Sequence, residues 1–247
     1  MTQTLRLSLL VLLLVAGCRS SSERPSPAVA APPAATSSTT DAPFEDEIRA
    51  FEAADAQKEQ PKGAILFVGS SSIRLWTSLA DDMAPIPIIR RGFGGAALSD
   101  CIRNVDRIVT PYDPRAIFVF CGTNDIVGDN PKSAEEVLAL YKEFVDTVRE
   151  SLPTTPIYFI SISPTKSRWQ HVAIVRKANE LVKDYSDSSD LLHYIDAASA
   201  LVNSSGEPRD ELFREDQLHL SAEGYSVWTS IIRPIVEDAY RTNAGTE

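Results

Sequence analysis

Four short segments hold the residue types best suited to chemistry in this chain. They are Gly69-Ser70-Ser71-Ser72, Gly92-Phe93-Gly94-Gly95, Gly122-Thr123-Asn124-Asp125 and Asp216-Gln217-Leu218-His219. A serine hydroxyl is a poor nucleophile at its own pKa and needs a base within hydrogen-bond reach. Histidine is the side chain suited to that proton transfer near neutrality. A carboxylate at the other ring nitrogen holds the imidazole in one tautomer, and Asp216, three residues before His219, can reach it from a tight turn. Such a set suits acyl transfer, in which a developing oxyanion needs preorganised donors. Each segment alone has a blander reading. Serine clusters make turns and helix caps, paired glycines make tight turns, and a lone histidine is more often structural. Residue chemistry alone does not choose among Ser70, Ser71 and Ser72.

These segments need a frame that brings them together. Apolar runs at 64–68, 86–89, Ala116–Phe120 and 157–162, with a weaker fifth at 191–195, read as strands buried on both faces. Between the third and fourth, Val137, Tyr141, Phe144 and Val148 share one helical face, with Leu138, Val145 and Leu152 beside it. Ile174, Ala178, Leu181, Val182 and Tyr185 repeat the pattern between the fourth and fifth. Ser221 is a plausible N-cap for a last helix that turns Val227, Ile231, Ile235 and Val236 inward. Alternation of this kind implies right-handed crossovers and a parallel sheet covered on both sides. Ligands bind such sheets beyond the carboxyl ends of the strands, where three of the four segments fall.

Taken in order, the four segments resemble the SGNH (GDSL-like) hydrolase family over nearly the whole folded domain. That family carries Gly-Asp-Ser after the first strand, a glycine after the second, Gly-x-Asn after the third and Asp-x-x-His near the C-terminus. Gly69-Ser70-Ser71, Gly95, Gly122-Thr123-Asn124 and Asp216 to His219 match those blocks. The double glycine of the second block resembles the platelet-activating-factor acetylhydrolase-like branch. The resemblance implies an α/β fold, a single three-layer domain with a five-stranded parallel sheet of flavodoxin-like order. It selects Ser71 as nucleophile, with Asp216 and His219 completing the triad, and an oxyanion hole from Ser71 N–H, Gly95 N–H and the Asn124 side chain. The implied reaction is hydrolysis of a carboxylic ester through an acyl-enzyme, without a cofactor. A short-chain or acetyl ester is favoured, with a lysophospholipase or thioesterase as runner-up. The chain departs from the family at Ser70 and Ala96, where acids are usual. An inactive glycan- or lipid-binding relative is therefore a rival of another class, which retention of all five site residues opposes.

Other residues have lesser roles. Arg168 and Trp169, after the fourth strand, are expected to line the substrate cleft. Asp125 is expected to brace its loop, His171 and His193 to be structural or peripheral, and Asp196 to be a weak competitor for the histidine. No metal is expected, because the three histidines are scattered and Cys-x-x-Cys is absent. The glycines after the second strand do not form a nucleotide fingerprint. Cys101 and Cys121 are read as unpaired buried thiols in preference to a disulfide.

The net charge of −10 argues against a nucleic-acid partner. Substrate is expected to be a small-molecule, glycan or lipid ester. The first 17 residues read as a secretory signal, with Arg6 ahead of an apolar run too short to span a bilayer. Val15-Ala16-Gly17-Cys18 resembles a bacterial lipoprotein box, which implies a lipid on Cys18 and a membrane-anchored protein of the cell envelope. Arg19 in place of Asp favours the outer membrane in a Gram-negative cell. Residues 18–43, rich in Ser, Pro, Ala and Thr, read as a disordered tether. The folded domain is expected at 44–241, followed by a short disordered tail at 242–247.

Overall fold

The computed structural model describes residues 43–242. Five strands, β1 (Ile65–Gly69), β2 (Ile88–Gly92), β3 (Ala116–Phe120), β4 (Ile157–Ile160) and β5 (Leu192–Ile195), form one parallel sheet in the order β2-β1-β3-β4-β5. Helices α1 (Glu45–Gln57), α2 (Ser71–Leu75), α3 (Leu79–Asp82), α4 (Leu98–Arg103), α5 (Val105–Ile108), α6 (Ala134–Ser151), α7 (Val172–Ser186) and α8 (Ala222–Thr242) cover it. The expected flavodoxin-like three-layer architecture is present. Strand order reverses between β1 and β3, and the crevice at such a switch point is where open parallel sheets hold ligands.

The strands are apolar throughout because each face has its own core. Leu66, Val68, Ile117, Val119, Ile157 and Phe159 pack with residues of α1, α4, α6 and α7. The alternating set, including Ile65, Phe67, Phe118, Phe120 and Ile160, packs with α2, α3 and α8. On this second face Phe67, Phe118, Tyr158 and His193 stand in register on four adjacent strands and stack ring on ring. His193, at the sheet edge, is the end of that row, in keeping with a structural role.

β2, α8 and α1 differ most from expectation; α2 to α5 likewise have no expected counterpart, and β4 stops at Ile160, two residues before its apolar run ends. The second strand runs on through Arg90, Arg91 and Gly92 instead of stopping at Ile89. Its charges are satisfied, since Arg90 donates to Trp76 O at 2.7 Å and the buried Arg91 donates to Asp55 and to Tyr112 Oη. In the last helix Ser221 Oγ accepts Gly224 N–H as the expected cap. The most buried face is however Tyr225, Trp228, Ile232 and Val236, with Val227, Ile231 and Ile235 only partly covered. Tyr225 stacks on Trp76, and Trp228 meets it edge-on, which sets the helix's rotation. α1 has no counterpart among the expected elements; only Ile48 of it is fully buried, and three acids in its first turn suit the helix dipole.

Candidate active site

The exit of β1 is fixed by close backbone packing. Gly69 has φ 138°, and a Cβ there would stand 2.0 Å from the Phe120 carbonyl oxygen, so only glycine fits. Ser70 N–H donates to that same carbonyl at 3.0 Å, and the chain turns directly into α2 with Ser71 as its first residue. Gly92, closing β2, packs on this turn: a Cβ there would be 2.2 Å from Arg74 N. Phe93 N–H then donates to Gly69 O at 3.0 Å, carrying the β2 loop toward Ser71.

The histidine arrives differently, on a loop closed by an antiparallel bridge between Phe213 and Leu220. Asp216 organises it. Its Oδ1 accepts the N–H groups of Leu218 at 3.0 Å and His219 at 2.9 Å, and its Oδ2 is 2.7 Å from His219 Nδ1. Burial pushes the Asp216 pKa up, but hydrogen bonds from the His219 ring and the two backbone N–H groups outweigh it and hold the carboxyl at about 2. With Asp216 ionised the ring proton belongs on Nδ1. That leaves Nε2 as acceptor for the Ser71 hydroxyl, whose oxygen is 3.0 Å away.

Ser71, His219, Gly95, Asn124 and Arg168 line one cleft of about 400 Å³. The backbone N–H groups of Ser71 and Gly95 meet no acceptor among the described residues. Asn124 Nδ2 donates to Ala96 O at 2.8 Å, which accounts for one of its two N–H groups. The wall also carries Ser72, Thr123, Ser163 and Thr165, and its large apolar side chains are Phe120, Leu218 and Leu220. This arrangement can deprotonate a hydroxyl in a polar cleft beside free backbone donors.

The remaining residues fall as follows. Trp169, in the short 3₁₀ segment Lys166–His171, does not line the cleft, and the Arg176 guanidinium lies 5.7 Å from its ring centre. His171 ends that segment and also stays outside the cleft. Asp125 braces its loop by accepting Leu98 N–H at 3.1 Å with each oxygen, and burial pushes its carboxyl up to about 6. Asp196 accepts from Ser199 N–H and Oγ, a turn contact with no part in the site. Cys101 and Cys121 are free and buried with sulfurs 3.9 Å apart, and burial pushes the Cys121 thiol up. Among the described residues no three His, Cys, Asp or Glu side chains come together as a metal site. Cys18 lies outside the described residues; within them, no helix is long and apolar enough to cross a membrane.

Sequence reasoning missed two contacts that hold the site. Asn179 of α7 clamps the loop after β4, accepting Ile162 N–H at 2.8 Å and donating to Ile162 O at 2.9 Å. Arg168 donates to Asn124 Oδ1 at 3.0 Å across 44 residues of sequence. No spacing rule marks either.

The pattern of the GDSL-like Lipase/Acylhydrolase family matches residues 67–227, more than half of the chain. No curated protein matches the chain in sequence. Among solved structures, a candidate platelet activating factor protein from Streptococcus pneumonia is 22% identical, with TM-score 0.67 over 77% of this chain and 92% of that one. A GDSL-like lipase from Bacteroides thetaiotaomicron is 16% identical, with TM-score 0.66 over 78% and 98%. A carbohydrate esterase family 3 protein from Talaromyces cellulolyticus is 15% identical, with TM-score 0.59 over 72% and 98%. At these identities the likenesses show the fold.

Proposed function

Since the chain belongs to the GDSL-like lipase/acylhydrolase family, we propose that it is a serine esterase cleaving a short-chain ester, an acetyl ester foremost, through an acyl-enzyme. One observation carries this: the unbroken chain from Ser71 Oγ through the His219 ring to the Asp216 carboxylate, with links of 3.0 and 2.7 Å. In the reaction Ser71 Oγ attacks the ester carbonyl as its proton passes to His219 Nε2. The oxyanion is held by the N–H groups of Ser71 and Gly95 and by the Asn124 amide. His219 then gives the proton to the leaving alcohol. A water molecule, deprotonated by the same nitrogen, releases the acid and restores Ser71.

The short-chain reading rests on the cleft. Its volume of about 400 Å³ is small, and its large apolar side chains Phe120, Leu218 and Leu220 stand among charged and hydroxyl-bearing ones such as Glu47, Arg74, Ser163 and Thr165, which leaves little continuous apolar surface for a long acyl chain. A series of p-nitrophenyl esters of rising chain length tests it, with acetate and butyrate expected to lead. A preference for long chains would put a lysophospholipase or long-chain thioesterase in its place. Labelling by a fluorophosphonate probe, lost in Ser71→Ala, tests the nucleophile itself. A folded protein that takes no label would be the inactive glycan- or lipid-binding relative.

We also propose that Cys18 carries a lipid that tethers the enzyme to the bacterial envelope, on the outer membrane in a Gram-negative cell. The support is the sequence Val15-Ala16-Gly17-Cys18 at the end of its apolar run. Metabolic palmitate labelling that disappears in Cys18→Ser is the expected result, and persistent labelling would remove the anchor.

A further inference from the structure

Arg168 is an arginine without a carboxylate. It sits in the cleft wall, makes no ion pair among the described residues, and burial pulls its pKa down. Its side-chain hydrogen bonds all go to the loop after β3: Nη1 to Thr123 O at 2.5 Å and Thr123 Oγ1 at 2.9 Å, Nη2 to Asn124 Oδ1 at 3.0 Å. Arg168 departs from helical geometry inside its 3₁₀ segment (φ −124°, ψ 23°), and the preceding Ser167 N–H donates to Gln217 O at 3.2 Å. The segment thus touches both halves of the site, the Asn124 loop and the loop that carries His219.

A primary amide offers one oxygen and two N–H donors in one plane. On Asn124 the oxygen faces Arg168 and one N–H faces Ala96 O. Reversing the amide would set NH₂ against a guanidinium and oxygen against a carbonyl, so the orientation is settled from both ends. One N–H remains, on a side chain that lines the cleft beside Ser71. A cation on the amide oxygen also draws electron density toward it, which strengthens the N–H at the other end of the group.

We propose that Arg168 is the positioning residue of the oxyanion hole, fixing the Asn124 amide and sharpening its remaining N–H for the transition state. This rests on the reading of Asn124 as an oxyanion donor. The competing role, direct capture of an anionic group on the substrate, would have Arg168 act independently of Asn124.

A double-mutant cycle separates these, read as kcat and KM on p-nitrophenyl acetate. Asn124→Ala is expected to lower kcat by about 10²–10³-fold with little change in KM. Arg168→Ala is expected to lower kcat at least tenfold, again with KM nearly unchanged, and to cost nothing further in the Asn124→Ala background. Added guanidinium at millimolar concentration should restore part of the Arg168→Ala activity and none of the double variant's. Should Arg168→Ala fail to fold, Arg168→Met, which keeps the aliphatic stem but offers Asn124 Oδ1 no donor, carries the same cycle. An Arg168 variant with wild-type kcat, or an undiminished Arg168 effect in the Asn124→Ala background, overturns the positioning role. Wild-type kcat in Asn124→Ala overturns the oxyanion reading of Asn124 instead.

Discussion

The two halves of the cleft are held by opposite means. The side of the proposed nucleophile, Ser71, is made of strand exits locked by backbone contact, with Gly69 against Phe120 O and Gly92 against Arg74 N leaving no room for a methyl group. The acid side is a surface loop whose order comes from one half-exposed carboxylate, Asp216, taking three hydrogen bonds. Each half also contains an aspartate, and their titrations diverge. Asp125, buried behind the Asn124 loop, is pushed up to about 6, whereas Asp216 is held at about 2. One side is therefore rigid because it is packed, the other because it is hydrogen-bonded. Filling the packed glycines should therefore damage the fold, whereas removing the Asp216 carboxylate should damage the chemistry.

The sharpest way to break this contrast is Gly69→Ala. A Cβ 2.0 Å from a carbonyl oxygen, at φ 138°, forces the β1 and β3 exits apart. The expected cost is about 4 kcal/mol or more, enough to abolish soluble folded protein. Circular dichroism and thermal melting decide it; a stable, active Gly69→Ala would show that the nucleophile side is softer than its packing implies.

Asp216→Ala should do the reverse. Losing the carboxylate frees the His219 tautomer, and kcat is expected to fall about 10³–10⁴-fold. Melting temperature should move by no more than a few degrees, since the half-exposed side chain contributes little packing. The depressed pKa also fixes a sign. Any stability that Asp216 adds is fully present above its unfolded pKa near 4 and is lost progressively as pH falls from there through about 2. Acid inactivation centred near pH 4 would therefore have another origin. Equal losses of kcat and stability in Asp216→Ala would erase the distinction between the two halves.

How much of this was legible in sequence follows the same division. His219 and Asp216 stand out because proton transfer demands those residue types, and the strand exits because glycine marks them, whereas Ser71 is separated from Ser70 and Ser72 by the family resemblance alone. The parallel sheet was legible because a strand buried on both faces has to be apolar throughout. What escaped were features set by partners distant in sequence. β2 continues through Arg90 and Arg91 only because Trp76 O, Asp55 and Tyr112 receive their charge. The rotation of α8 is fixed by Tyr225 and Trp228 against Trp76, which helical periodicity among aliphatic residues does not report. Trp169 looked like cleft lining by its place after β4, yet Arg176 covers it elsewhere. Arg168, beside it, does reach the cleft, through bonds to Thr123 and Asn124 that leave no local pattern.

Asp125→Asn sharpens the contrast on the packed side. A carboxyl raised to about 6 stabilises the fold fully only below its unfolded pKa near 4, and that contribution is lost as pH rises through 6. At pH 8 the buried charge costs on the order of 2–3 kcal/mol relative to a neutral group. An asparagine keeps an oxygen to accept Leu98 N–H without that charge. The variant is expected to melt higher than wild type at pH 8, with the gain vanishing by pH 4. A pH-independent difference would assign Asp125 a role other than a desolvated brace.

The smallest expected effect concerns the residue beside the proposed nucleophile. Ser70 occupies the position where the family usually has an acid, is fully buried, and its hydroxyl has no hydrogen-bond partner among the described residues. Its backbone does the positioning, through the N–H to Phe120 O and the carbonyl that accepts from Ile73 and Arg74. Ser70→Ala keeps all of these and removes an unsatisfied hydroxyl, so kcat should be unchanged and melting temperature equal or slightly higher. Restoring the acid with Ser70→Asp should instead destabilise the protein, because a carboxylate there would be desolvated without a donor already in place. Among the three adjacent serines, only Ser71 has its oxygen 3.0 Å from His219 Nε2. A large kcat loss in Ser70→Ala would therefore mean that the hydroxyl serves a state of the enzyme in which this turn is differently packed, and that the nucleophile side is less rigid than Gly69 and Gly92 make it.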